Sequence, residues 1–442
     1  MGAFVNLSKL AIAILFASLS NAALASENPN TLNQAIDSAL KLNEITRSTD
    51  ELLESISAST LAVKASNLPQ GSFSCSMSMN HSRTYSIVTY SSTDYSKQCG
   101  IYVGMDVFDG GAHRNELKAA EAREAFSKNF YNTADKYTRN TRGGLAFSTL
   151  QAFITVQRSR SDIEMNNFLK QAYEVFATAV SDPAQKSIMH SIISDTANNI
   201  ETLISKSEIE NDAFVFLVKL PPGDQLESLD QTIAGLEIPK SVDEAINLAI
   251  TKGPSVVSKT AQVEMESYSL KALRARSGPN ISVGASASYG GYSDRFRIKN
   301  DASSTNANVG ITFRIPLDPS KKYRLQSAEH SLKSVELERT AAIEEAKQDM
   351  KATYRNLAID MRNYLNLSRD YASQKNLINT ATEQIKAGKP SGLDYTAMSA
   401  NLGILQNRYY TLIGKQQTII ERLYSIRQIT GLLFDKNFSI QK

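Results

Sequence analysis

The chain has 442 residues, with 48 Lys and Arg against 45 Asp and Glu, for a net charge of +3. The signs are interspersed, which leaves no basic footprint for nucleic acid, and 42% apolar residues exclude wholesale disorder. Two Cys and four His, without Cys-x-x-Cys or His-x-x-x-His spacing, argue against a structural metal site, and no cofactor is expected.

Lys9 precedes an apolar stretch from Leu10 to Leu19, and small residues follow to Ala23-Leu24-Ala25. This is the order of a Sec-type signal peptide over residues 1–25, with a short buried helix as the alternative. Position 26 is Ser rather than Cys, so no lipid anchor is expected after cleavage. No apolar run reaches the ~18 residues of a membrane helix. A periplasmic, secreted or outer-membrane β-barrel protein satisfies all of this.

The chain then reads twice. Thr31-Leu32-Asn33-Gln34-Ala35-Ile36 answers Ser241-Val242-Asp243-Glu244-Ala245-Ile246 at an offset of 210 residues, and Leu68-Pro69 answers Gly278-Pro279. The turn-like Val180-Ser181-Asp182-Pro183 lies near the counterpart of Gly388-Lys389-Pro390-Ser391. A tandem duplication follows, with a first repeat over 26–223, a linker over 224–240 and a second repeat over 241–442.

Each repeat opens with a helical stretch (31–66, 241–276) that leads into two alternating segments. Phe73, Cys75, Met77 and Met79 alternate with Ser72, Ser74, Ser76 and Ser78. The return segment sets Ile101, Val103, Met105 and Val107 against Tyr102, Gly104 and Asp106. In the second repeat Ile281, Val283, Ala285, Ala287 and Tyr289 are followed by Val309, Ile311, Phe313 and Ile315, again alternating with small polar residues. Period two predicts strands at about 71–80, 99–108, 280–290 and 307–316, each with one apolar face. Such dyads suit a membrane barrel; amphipathic hairpins on a soluble core are the alternative. Residues 80–97 and 290–306 are expected to be long polar loops.

From Ser320 to Ala387 there is neither Gly nor Pro, and 68 residues of helix would span roughly 100 Å. Leu325, Ala328, Leu332 and Val335, then Met350, Tyr354, Leu357, Met361 and Tyr364, recur in coiled-coil steps. A comparable long helix is expected over 112–180, with a kink at Gly143-Gly144. The shorter segment after the turn, about 392–430, can match the long helix only by stacking end to end with the opening helix of a repeat.

Four strands cannot close a membrane barrel, because an open edge in lipid leaves backbone groups unpaired. If these are membrane strands, the chain must oligomerise, and three copies supply twelve.

At this point the chain resembles the TolC family of outer-membrane efflux proteins. The passage that carries the resemblance runs Phe108-Asp109-Gly110-Gly111-Ala112-His113-Arg114-Asn115-Glu116-Leu117, continuing Ala119-Ala120-Glu121-Ala122. Leu32, Ala35-Ile36 and Ala39-Leu40 match the opening of each repeat, Leu220-Pro221-Pro222-Gly223 the segment closing the first, and Gly388, Gly392-Leu393-Asp394 the periplasmic turn. The resemblance implies a homotrimer: a twelve-stranded barrel in the outer membrane, four strands per chain, continued by an α-helical coiled-coil barrel in the periplasm. It implies a periplasmic adaptor and an inner-membrane ABC or RND transporter as partners, and no catalysis by the duct itself.

The resemblance also places Asp394 at the first ring of acidic residues at the periplasmic entrance; an ordinary carboxylate at a helix N-terminus is the alternative. The second ring position is Ala397, and the family's gate tyrosine and arginine fall on Ile385 and Pro390, so that latch is absent. Cys75 and Cys99 share a face, but the expected register sets Cys75 nearer Asp106, which leaves a disulfide open. Tyr85, Tyr90, Tyr95 and Tyr102 are candidates for the outer aromatic girdle in a chain with no Trp. His81, His113, His190 and His330 are scattered and read as surface residues.

Two functions remain. One is an export duct for small toxic compounds or for proteins secreted by a type I system. The other is a structural or adhesive envelope protein whose barrel is only an anchor.

Overall fold

The computed structural model describes residues 28–85, 90–132, 141–293, 302–389 and 395–434. The leader at 1–25 and the turn residues Pro390, Gly392 and Asp394 lie outside the described residues.

Two helices open the chain, α1 (Leu32–Leu42) and α2 (Glu44–Ala65). Thr31 starts α1 with a reciprocal cap: its hydroxyl accepts from the Gln34 N–H, and the Gln34 side chain accepts from the Thr31 N–H. Asn43 separates the two helices and caps α2 through the Ile45 N–H. Strands β1 (Gln70–Thr84) and β2 (Tyr90–Phe108) follow, then α3 (Ala112–Asn132), α4 (Arg142–Ala179), α5 (Pro183–Val218) and the short α6 (Leu229–Gly235). The second half has α7 (Val242–Thr251), α8 (Pro254–Arg276), β3 (Asn280–Ser293), β4 (Ala302–Arg314), α9 (Lys321–Lys386), α10 (Tyr395–Ile429) and a 3-10 turn at Leu432–Phe434. None of the described helices is long and apolar enough to cross a membrane.

Three expectations are corrected. Residues 80–97 are mostly strand rather than loop, since β1 runs to Thr84 and β2 begins at Tyr90. Strands β3 and β4 likewise reach Ser293 and start at Ala302. These outer parts have no apolar face to betray them, yet their backbones pair all the same. The stretch 112–180 is not one kinked helix: α4 starts afresh at Arg142, with the Thr141 hydroxyl accepting the Gly144 N–H at 3.0 Å. Gly143 and Gly144 therefore sit buried in a first turn rather than at a mid-helix bend.

The 66-residue α9 packs along α10 over one part of its length and along α7 and α8 over another. The shorter helices meet end to end. A Cβ on Gly253 would lie 2.5 Å from the Ile429 carbonyl, and one on Gly431 would lie 2.5 Å from the Lys252 carbonyl. Gly431 also needs its positive φ of 76°, which only glycine adopts freely. The first half repeats the device: the Asn43 amide donates to the Leu217 carbonyl at 2.8 Å, and Lys219 takes the left-handed φ of 65° after α5.

The buried core runs from these joints along the helices. Leu32, Leu145, Phe153, Phe176, Met189, Phe214, Leu402 and Tyr424 are all fully enclosed. Residues 224–240 contribute α6, whose Asp230 accepts the Tyr364 hydroxyl of α9 at 2.6 Å. Burial, reinforced by that carboxylate, pushes the Tyr364 hydroxyl up to about 12. Asp360 of α9 is buried between two cations of α10, Lys415 at 3.1 Å and Arg422 at 2.7 Å.

Glu227 ties this belt to α1, accepting the Leu32 N–H at 2.8 Å and the Thr232 hydroxyl at 3.2 Å. Burial raises its carboxyl above the usual range, against the pull of those two donors. A carboxyl raised in the fold stabilises the protein fully below the unfolded value near 4.5, and that contribution fades as pH climbs through the folded value. Glu227→Gln, which keeps an acceptor and removes the charge, is expected to raise the thermal midpoint at pH 7 and to lose the advantage at pH 4. Glu227→Ala orphans the Leu32 N–H and is expected to cost about 1–2 kcal/mol at either pH. Thermal unfolding followed by circular dichroism reads both.

Candidate functional site

The strands form one antiparallel sheet in the order β1-β2-β3-β4, so β2 of the first half pairs with β3 of the second. The registers line the alternating residues into rows. Phe73, Ile101, Ala287 and Ala307 are successive partners; Val103, Ala285 and Val309 form the next row, then Met105, Val283 and Ile311. Between them run Ser74, Gly100, Ser288 and Asn306, and then Ser72, Tyr102, Ser286 and Asn308. One face is thus continuously apolar across both halves and the other is built from Ser, Gly, Asn and Thr. The apolar face is uncovered within the chain: Phe73 is 70% exposed, Val309 82% and Ile311 76%. Among the described residues, strands β1 and β4 each have a partner on one side only.

Tyr102 does not belong to an outward girdle. It lies on the polar face with its ring across Gly104 and Gly284, where an added Cβ would stand 2.4 Å and 2.9 Å from its hydroxyl oxygen. A side chain at either glycine would evict the ring. Tyr95, opposite Met79, is on the apolar face, and Tyr85 is exposed beside Arg83, whose guanidinium sits 5.1 Å from the ring centroid. The side chain of Tyr90 lies outside the described residues.

The expected cysteine register is also corrected. Cys75 and Cys99 are direct partners, with Cα atoms 4.1 Å apart, and the two are joined as a disulfide. The strands' extension beyond the predicted ends shifts the pairing. The bridge does something the hydrophobic pattern cannot. Every polar position from 72 to 78 in β1 is Ser, so a slip of two residues would leave each side chain on its own face. The β2–β3 register has a bulge between Asp106 and Phe108 to mark it; β1 has the disulfide.

Below the sheet, Phe108-Asp109-Gly110-Gly111 turns β2 into α3. The Asp109 carboxylate accepts the Gly111 N–H at 2.8 Å and the His113 N–H at 2.6 Å. Gly110 and Gly111 have φ of 65° and 83°, and a Cβ on Gly110 would crowd the Ala275 carbonyl at 3.3 Å. Two glycines are needed there because the chain turns left-handed while passing close to α8. Glu116 of α3 then pairs with Arg276 at the end of α8.

At the far end of α9, Gly388 has φ of 69° and donates to the Ile385 carbonyl at 2.9 Å, while the Lys389 N–H reaches Gln384 at 2.9 Å. This is a Schellman stop, and it accounts for the glycine. Ile385 packs half-buried against the core, and Ala397 lies in the first turn of α10. Of the four histidines, His81 meets the Thr93 hydroxyl at 2.9 Å and His113 lies 3.4 Å from the Ser66 hydroxyl. Among the described residues no group of His, Cys, Asp or Glu is arranged to hold a metal.

Replacing both cysteines with Ser is expected to lower stability by about 3 kcal/mol, the loop-closure effect for partners 24 residues apart. Reductant should bring the intact chain to the same level and leave the double variant unchanged in denaturant titrations.

A family model for outer membrane efflux proteins matches residues 245–427. No curated protein sequence matches the chain. Among solved structures, CusC, described as undergoing transmembrane channel formation, shares the fold with a TM-score of 0.70 at 16% identity, over 90% of this chain and 92% of its own. The CmeC outer membrane channel of Campylobacter jejuni gives 0.67 at 16% identity, over 92% and 86%. The outer membrane protein VceC of Vibrio cholerae gives 0.66 at 13% identity, over 90% and 96%. Residues 245–427 thus match the outer membrane efflux protein family, which the chain's motifs resemble, and the fold is shared with solved outer membrane channels over about nine-tenths of the chain.

Proposed function

We propose that the chain is the outer-membrane exit duct of a tripartite export machine in a Gram-negative envelope. The observation that carries this is the sheet: one face apolar and uncovered, the other polar, and both edges open. Three copies set edge to edge give twelve strands, which leaves no unpaired edge in lipid and turns the Ser- and Gly-rich face onto a water-filled lumen. The helices continue the tube into the periplasm.

In this reading the chain is exported through its leader at 1–25 and acts as a passive duct. Energy comes from an inner-membrane ABC or RND transporter coupled through a periplasmic adaptor. The cargo is either small toxic compounds or type I secreted proteins. Asp394, three times around the axis, forms an acidic entrance ring beside the turn of Gly388, Pro390 and Gly392, where it attracts cations. The structural neighbours CmeC and MtrE, both outer membrane channels, support the assignment. The polar sheet face favours a conducting lumen over a mere anchor.

Planar-bilayer recording of the purified full-length protein tests this. Stable openings are expected, blocked by divalent cations on the periplasmic side, with the block weakened about tenfold or more in Asp394→Ala. A confirmed trimer that never conducts, even after the helix ends near Gly388 are loosened, would favour the anchor.

A further inference from the structure

The polar face of the sheet is built from small side chains, and one aromatic ring is folded down onto it. Tyr102 of β2 stands between Ser72 of β1 and Ser286 of β3. The next row toward the helices on this face runs Gly104, Gly284 and Gly310 across β2, β3 and β4. Glycine weakens a strand, because it has no side chain to pack and loses the most freedom on ordering. None of the three takes a positive φ, so the backbone does not demand them.

For Gly104 and Gly284 the reason is the ring. At both positions the three atoms nearest an added Cβ all belong to Tyr102. They include the Cε1 edge at 3.0 Å for Gly104 and the Cε2 edge at 3.1 Å for Gly284. Both edges of the ring therefore rest on the glycine floor, and the ring lies along the wall instead of standing up from it. Gly310 is different, since a Cβ there would meet nothing within 4 Å. The slot spans two strands and fits one ring. Tyr102 nevertheless stays 51% exposed, so the face turned away from the glycines is open. Such a face is the negative side of the ring quadrupole and attracts weakly hydrated cations such as quaternary ammonium groups. Tyr292, on the same side of the sheet, is engaged otherwise: its hydroxyl donates to Asp94 at 2.7 Å.

We infer that Tyr102 is a specificity-determining lining residue of the duct, stowed in the Gly104–Gly284 slot so that it offers organic cations an aromatic face without narrowing the passage. The contact is reversible and recurs at one level in every copy. A ring released from the slot would stand into the bore and obstruct it. The inference rests on the duct reading above and deepens it by naming a residue that touches the cargo and the cation chemistry it favours.

Planar-bilayer recording of the full-length protein tests it, with tetraethylammonium as the probe. Block of the wild type is expected, kept in Tyr102→Phe and weakened about two- to fivefold in Tyr102→Leu. Gly104→Ala should lower single-channel conductance by evicting the ring, and adding Tyr102→Ser to that variant should restore it. Gly310→Ala adds the same methyl to the same row and should leave conductance as it was. A ring that serves packing alone would lower stability when disturbed and leave conductance and block unchanged, which overturns the inference. An equal loss of conductance in Gly104→Ala and Gly310→Ala overturns it too, as does a wild type that tetraethylammonium does not block. If Gly104→Ala does not incorporate, Gly284→Ala takes its place, and the comparison of Tyr102→Leu with Tyr102→Phe stands without either. A confirmed trimer of the wild type that never conducts would instead overturn the duct reading, and this one with it.

Discussion

Backbone N–H and C=O groups at the edge of a sheet must find partners, and in an apolar surrounding water cannot supply them. Strands β1 and β4 present such edges, while the face between them presents Phe73, Ile101, Val309 and Ile311 to the outside. A soluble protein would cover that face with a helix. Here the helices lead away from the sheet at the Asp109 turn and at Pro316, and the face stays bare. The demands of the two edges and of the bare face are met together if copies of the chain close a ring within lipid. The disulfide at the β1–β2 seam then has a purpose in the same scheme, since a slipped edge strand would offer the next copy the wrong register.

The helical part follows from duplication under a second constraint, that a helix of 66 residues needs covering along its whole length. No second helix of that length exists among the described residues, so two shorter ones are laid end to end. Chain ends that abut must avoid side chains at the joint. Gly253 and Gly431 do so in the second half, and Asn43 and Lys219 do it differently in the first, with an amide bond to Leu217 and a left-handed cap. The same architecture is thus held by unlike residues in the two halves.

Much of this was legible in the sequence because periodicity survives without tertiary context. The long helix is legible because Ser320 to Ala387 lacks any breaker, and α9 runs Lys321–Lys386. The alternation of β1 through β4 gave both faces. The rest was hidden for separate reasons. Residues 80–84 and 90–97 pair beyond the apolar band, where nothing distinguishes a strand from a polar loop, and the cysteine register was lost with them. Gly143-Gly144 suggests a kink because glycine is a weak helix former, whereas Thr141 just before it makes the pair a helix start. Residue type alone points Tyr102 outward, whereas its even position sets it among Ser72 and Ser286. Asp394 and its neighbours lie outside the described residues, so their role rests on the resemblance.

A sealed duct in the outer membrane depends on copies of the chain closing the sheet. The mass of the detergent-extracted particle, measured by native mass spectrometry on protein purified under oxidising conditions, tests that directly. Three chains per particle, dissociating as the sheet unfolds, is the predicted result. A particle of one chain, with the sheet folded and the Cys75–Cys99 bridge intact, would contradict it.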